Sequence, residues 1–297
     1  MRKKIQFESP RRRTNGAQLS KAIYVVLIWM ASCLCYGCNE KTQSGKNSPS
    51  KGPVSPATQQ GDTSTDEGQD VDVSNPTPAV RPKIVVVGWG PLSCQPLIDW
   101  MVEDGFPKEH TYLFRYSYMQ DVDTVKTELI TQFNEVFAKY PQDVKFDIWA
   151  VSTGHFTALY SIMEGGLEQR IEKFIGIVGI AHGINSIGLD YRVPSAVYSY
   201  NNPGYSLIVG KTISTISPHM NPFLTSFYAK YDAKIKSLKK CSIFSPTDSL
   251  IDPYDTGHFD DGENFPIPNL RHVTIMTDKD HMYKFVVDNC YKGLLKN

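Results

Sequence analysis

The sequence has no internal repeat and no excess of either charge, with 31 Lys/Arg balancing 31 Asp/Glu over 297 residues. Stacked-repeat architectures are therefore set aside. Cysteine is sparse: six in all, three of them crowded at Cys33, Cys35 and Cys38. The body keeps only Cys94, Cys241 and Cys290, an odd number that allows at most one intrachain bridge and leaves the pair open. No apolar run is long enough to span a bilayer comfortably. The longest, from Ala22 to Gly37, has sixteen residues, where a spanning helix needs about 20. A basic surface is missing too. Seven Lys/Arg and one acid lie in residues 1–37, so the remainder carries 24 basic and 30 acidic residues, a net of −6. Nucleic acid is excluded as a partner on that balance, since phosphate binding needs a basic patch. The one later cluster, Lys234, Lys236, Lys239 and Lys240, reads as a solvated helix face.

What is present divides the chain into three. Residues 1–37 read as an export signal or short membrane anchor, with a basic stretch, the apolar run from Ala22 to Ala31, then small residues and cysteines. Met30-Ala31-Ser32-Cys33 and Cys35-Tyr36-Gly37-Cys38 both resemble a bacterial lipobox, which makes Cys38 or Cys33 the expected site of lipid attachment. Residues 38–81 are rich in Ser, Thr, Pro, Gly, Gln, Asn and Asp and have little to bury, so they read as a disordered tether. A folded domain is expected over 82–297, held outside the cytoplasmic membrane through its N-terminal lipid or anchor.

Within that domain helical and strand patterns alternate. Lys83–Val87 has the look of a buried strand; Thr111–Tyr116, Phe146–Ala150, Phe174–Ala181, Ser242–Ser245 and His272–Met276 follow as further strands. Helical spacing marks 93–104, 122–139, 154–165 and 282–295. The expectation is an α/β fold, a doubly wound, mostly parallel sheet with helices on both faces. Residues 183–221 break the rhythm with Tyr191, Tyr198, Tyr200 and Tyr205 and three prolines, and are read as an aromatic-rich cap insertion.

The chemistry is concentrated in Phe146-Asp147-Ile148-Trp149-Ala150-Val151-Ser152-Thr153-Gly154. An apolar strand meets a serine flanked at two residues' distance by Ala150 and Gly154, with a helix beginning at once. That is the layout of a nucleophile elbow. A serine hydroxyl needs a histidine to take its proton, and the histidine needs a carboxylate. On a doubly wound sheet the three come in the order Ser, acid, His, each on a loop after a strand. Asp248, three residues past a short apolar strand, is the expected acid, with Asp252 and Asp255 as competitors on the same loop. His281, after the expected final strand, is the expected base, with His258 and His272 behind it. The oxyanion hole is expected from the backbone N–H groups of Thr153 and Trp89. Asp252, Asp255 and Asp260 are candidate oxygen donors for calcium, although their spacing is not that of an EF-hand, and a solvated acidic loop is the preferred reading.

Val85-Val86-Val87-Gly88-Trp89-Gly90, Ala150-Val151-Ser152-Thr153-Gly154 and Ile243-Phe244-Ser245-Pro246-Thr247-Asp248 together resemble the bacterial and fungal lipase/esterase branch of the α/β-hydrolase fold. The resemblance covers roughly residues 83–297. It implies Ser152, Asp248 and His281 as the catalytic triad. No cofactor is expected, and Trp89, Pro91 and Leu92 together with the aromatic cap suggest a small apolar ester as substrate. Two positions depart from the pattern: Val87 stands where the family has histidine, and His155 where a second glycine often follows the elbow. The runner-up expectations are a non-catalytic surface binding protein on the same fold, and an acyltransferase or thioesterase using the same three residues.

Overall fold

The structure, a computed structural model, describes residues 80–89, 94–187, 211–217, 219–248, 250–293 and 295. The expected export segment with Cys33 and Cys38, the tether, and the four cap tyrosines lie outside the described residues. No helix among the described residues is long and apolar enough to cross a membrane.

The chain runs β1 (Lys83–Trp89), α1 (Gln95–Glu103), β2 (Thr111–Ser117), α2 (Val122–Phe137), β3 (Phe146–Val151), α3 (Gly154–Glu164) and β4 (Ile171–Ile177). It continues with β5 (Ser186–Ile187), α4 (Lys211–Thr215), α5 (Pro222–Ser237), β6 (Lys239–Phe244), β7 (Ile251–Asp252), β8 (Glu263–Pro266) and α6 (Lys284–Cys290). Six strands form one sheet in the order β2-β1-β3-β4-β6-β8, and every neighbouring pair is parallel. β5 and β7 make a small antiparallel ribbon apart from it.

Strand alternation builds a core on each face of this sheet. Ile84, Val86, Ile148 and Ala150 point to one side, where they meet Leu129 and Phe133 of α2, Phe156 and Leu159 of α3, and Leu224 and Phe227 of α5. Val85, Val87, Trp149 and Val151 point to the other, against Leu97 and Met101 of α1 and Met282, Tyr283 and Val286 near α6. The doubly wound arrangement is thus the one the alternating patterns predict. Val87, one of the two departures from the family pattern, is simply a buried member of the second core.

Two expectations fail, one at β6 and one at the end of the sheet. Lys240 is not on a solvated face: it follows exposed Lys239 in β6 and so turns inward, donating to the carbonyls of Ile235 (2.6 Å) and Leu238 (3.1 Å) and pairing with Asp261. The apolar run His272–Met276 is not a strand either. His272–Thr274 is a single 3-10 turn, and the last strand is β8, whose sequence Glu-Asn-Phe-Pro carries no apolar run because it lies at the sheet edge with both faces partly open.

Cys241 of β6 is bonded to Cys290 at the end of α6, while Cys94 is free and buried. The C-terminal helix is therefore tied covalently to the sheet.

Candidate active site

The order of the strands changes direction at β1: β2 lies on one side of it and β3 on the other. In open parallel sheets such a switch point opens a crevice at the carboxyl ends of the strands. Ser152 follows the last residue of β3 and stands at that crevice.

Its backbone is strained. Ser152 adopts φ +54°, a left-handed conformation rarely used by residues with a side chain. The strain is held by the neighbouring strand: Ser152 N–H donates to Ile177 O (3.1 Å), and Ile180 N–H donates to Ser152 O (3.0 Å). Val178 between them has φ +39°, so the turn that grips the serine is itself strained. Gly154 is required by close approach, because a Cβ there would collide with the Val86 carbonyl oxygen.

The departure at His155 is accommodated by two missing side chains elsewhere. Its ring is fully buried in the first turn of α3, in the space a Cβ would need at Gly176 and Gly179, and against Phe174 and Phe259. Neither ring nitrogen has a hydrogen-bond partner. Burial accordingly pulls its pKa down to about 3, with His182 adding to the effect, and the ring is neutral.

Asp248 and His272 complete the site. Asp248 ends the turn after β6, where its N–H donates to Ser245 O (3.0 Å) and its Oδ1 accepts from Leu250 N–H (2.8 Å). Its Oδ2 lies 2.8 Å from His272 Nδ1, and His272 Nε2 lies 2.9 Å from Ser152 Oγ. With the carboxylate as acceptor, Nδ1 carries the proton and Nε2 is left to accept from the serine hydroxyl. Ser245 Oγ donates to Leu270 O (2.5 Å), which braces the acid-bearing turn against the segment leading to the histidine. Asp248 and His272 are buried and Ser152 is partly open, so the hydroxyl faces the crevice with its proton path closed behind it.

His281 is not at this site. It lies in a π-helical turn, Lys279–Tyr283, with its N–H donating to Asp278 Oδ1 (2.9 Å) and its Nδ1 3.5 Å from Asp278 Oδ2. The adjoining Lys279 pairs with Glu103 and Asp104 at the C-terminal end of α1, toward the amino edge of the sheet. The expected histidine does come after the last strand; that strand is β8, and the first histidine beyond it is His272, with His281 further on. In the sequence His272 stands behind His281 because its apolar neighbours imitate a strand. His258, Asp252 and Asp255 do not meet Ser152. His258 packs edge-on against Phe244, Asp252 is an exposed residue of β7, and Asp255 is exposed.

Thr153 lies at the N-terminal end of α3, where helix geometry leaves backbone N–H groups without intrahelical acceptors. Trp89 is the last residue of β1, and residues 90–93 beyond it lie outside the described residues. Among the described residues no three His, Cys, Asp or Glu side chains gather as metal ligands, so Asp252, Asp255 and Asp260 do not form a common donor set.

A parallel sheet covered on both faces, with a serine on a strained strand-to-helix turn and an acid and a histidine on successive later loops, defines the α/β-hydrolase fold. Solved structures bear this out. The chain is similar to the mature form of the lipase BlEst2 of Bacillus licheniformis, with a TM-score of 0.52 and 16% identity over 76% of this chain and 96% of that one. The propeptide form of the same lipase gives 0.53 and 16% over 76% of this chain, which spans about half (52%) of that longer protein. No protein-family model matches the chain, and no curated protein matches it.

Proposed function

We propose that this chain is an exported serine hydrolase that cleaves carboxylic esters with an apolar acyl group through an acyl-enzyme intermediate. The observation that carries the reading is the continuous path from Ser152 Oγ through His272 to Asp248, with steps of 2.9 and 2.8 Å. Ser152 Oγ attacks the ester carbonyl carbon as His272 Nε2 takes its proton. Asp248 stabilises the resulting imidazolium. The tetrahedral oxyanion is met by the backbone N–H of Thr153 and by one from the end of β1, for which Trp89 is the candidate. Collapse expels the alcohol, which receives the proton from His272. Water, deprotonated by the same histidine, then attacks the acyl-enzyme and releases the acid. The steps draw on side chains and backbone alone and call for no cofactor.

Export is supported by the N-terminal sequence and by the Cys241–Cys290 bridge, since structural disulfides persist mainly in oxidising compartments; membrane attachment through Cys38 or Cys33 is supported by the N-terminal sequence. The acidic balance of residues 38–297 speaks for a small neutral substrate rather than nucleic acid.

A fluorophosphonate probe tests the reading. Ser152 becomes labelled in the wild-type protein; labelling is lost in Ser152→Ala and strongly slowed in His272→Ala. Folded wild-type protein that is neither labelled nor active on p-nitrophenyl esters would show that the fold serves binding instead.

A further inference from the structure

Tyr116 stands directly beside Gly88 in the register of β1 and β2. Its phenol reaches across β1 and donates to Thr153 Oγ1 (2.9 Å), the side chain of the residue after Ser152. The reach depends on Gly88. A Cβ there would lie 2.6 Å from Thr153 Oγ1 and 3.2 Å from the Tyr116 hydroxyl, so only a residue without a side chain lets the two meet. Both partners are buried. Burial pushes the phenol pKa up to about 12, against the pull of its bonds to Thr153 and Thr157, so the group is a neutral donor across the working range of an esterase. A buried hydroxyl pair next to a site is an expensive way to fill space. An isosteric Phe and Val would fill it without the desolvation of two hydroxyls. Thr153 is also gripped from the other side, because its carbonyl accepts from Thr157 N–H (3.3 Å) and Thr157 Oγ1 (3.2 Å).

We propose that Tyr116 is a positioning residue that, through the Thr153 hydroxyl and across the gap at Gly88, fixes the Thr153 peptide plane so that its N–H is aimed at the developing oxyanion. The inference rests on the hydrolase reading above. An oxyanion donor acts on charge that appears only in the transition state, so loosening it lowers kcat and leaves KM in place. A structural role alone would change the folded fraction and not the turnover of each folded molecule.

The test measures kcat and KM on a p-nitrophenyl ester, with active sites counted by fluorophosphonate titration of Ser152. Tyr116→Phe is expected to lower kcat per titrated site about tenfold with KM within about twofold. Thr153→Val should do the same, Thr153→Ser should restore most of the rate, and the double variant Tyr116→Phe/Thr153→Val should be no slower than either single change. Unchanged kcat per site in Tyr116→Phe, or losses that multiply in the double variant, would overturn the proposal while leaving the hydrolase intact. If Tyr116→Phe fails to fold, Thr153→Val against Thr153→Ser decides the matter. Wild-type protein that cannot be titrated at Ser152 overturns both readings together, and that is seen before any variant is made.

Discussion

The two ends of the sheet hold their constraints in different ways. At the amino end Lys83 of β1 faces Asp147 of β3 in register, and their side chains pair at 2.5 Å, both fully buried. Arg81 adds a second contact to Asp147, and the Tyr291 hydroxyl donates to it at 3.1 Å while accepting from Trp149 Nε1 at 2.8 Å. Burial pulls the Lys83 pKa down although Asp147 pulls it up, and the Lys83 ammonium also lies over the rings of Tyr291 and Phe106. Here the charged groups have close partners, and β1, β3 and the C-terminal segment are bound into one block. At the carboxyl end the backbone is strained at Ser152 and Val178, and His155 is buried with both nitrogens unpaired. One end stores constraint as paired charge, the other as strain held by neighbours. A site that must present a reactive hydroxyl needs the second kind, while the first kind fastens β1, β3 and the C-terminal segment together far from it.

This contrast can be broken deliberately, most strongly at the carboxyl end. His272→Ala should cost about 10⁴–10⁶ in kcat per folded molecule, whereas His281→Ala should leave turnover within about twofold. Equal losses in the two variants would undo the site described above. At the amino end, Asp147→Ala leaves two cations without their carboxylate and should cost about 3–5 kcal/mol in urea unfolding, with kcat per folded molecule unchanged. A fall in turnover per site would mean that the two ends are not separable.

His155 sharpens the comparison through pH. Its folded pKa, near 3, lies below the ordinary value of about 6.5. Between those values the unfolded chain binds a proton that the folded chain does not, so stability falls as pH drops from 6.5 towards 3, by up to about 1.4 kcal/mol per pH unit. His155→Phe should flatten that acid limb of the unfolding curve; an unaltered slope would show that the imidazole is not the group responsible. The smallest effect is expected at the brace between the acid turn and the histidine segment. Ser245→Ala should lower kcat about threefold and stability by about 1 kcal/mol, and an effect confined to stability would make the brace structural only.

Much of this is legible in the chain before folding. Lys83–Val87, Phe146–Ala150 and the helices after them carry apolar spacing strong enough to name their own conformation. Ser152 can be singled out because strand, serine, small residues and helix are consecutive. Asp248 is legible for a related reason, since its turn follows directly on β6. The cysteine pair is not, because any two of Cys94, Cys241 and Cys290 satisfy the count. Nor is the room for His155 visible, because it comes from Gly176 and Gly179, distant in the chain.

The histidine marks the boundary most clearly. The order of parts, serine then acid then base after the last strand, belongs to the sequence. Which strand is last does not, because β8 is a short edge strand whose burial comes from β6 on one side only, and the run that imitates a strand nearby forms turns that bury His272, Ile275 and Met276 instead. The chain by itself determined the elbow and the alternation of elements, since these are set by contacts between residues near one another in sequence. Only the tertiary structure decided that His272 meets Ser152 across 120 residues and that Cys241 meets Cys290, because such pairings depend on where the sheet ends in space.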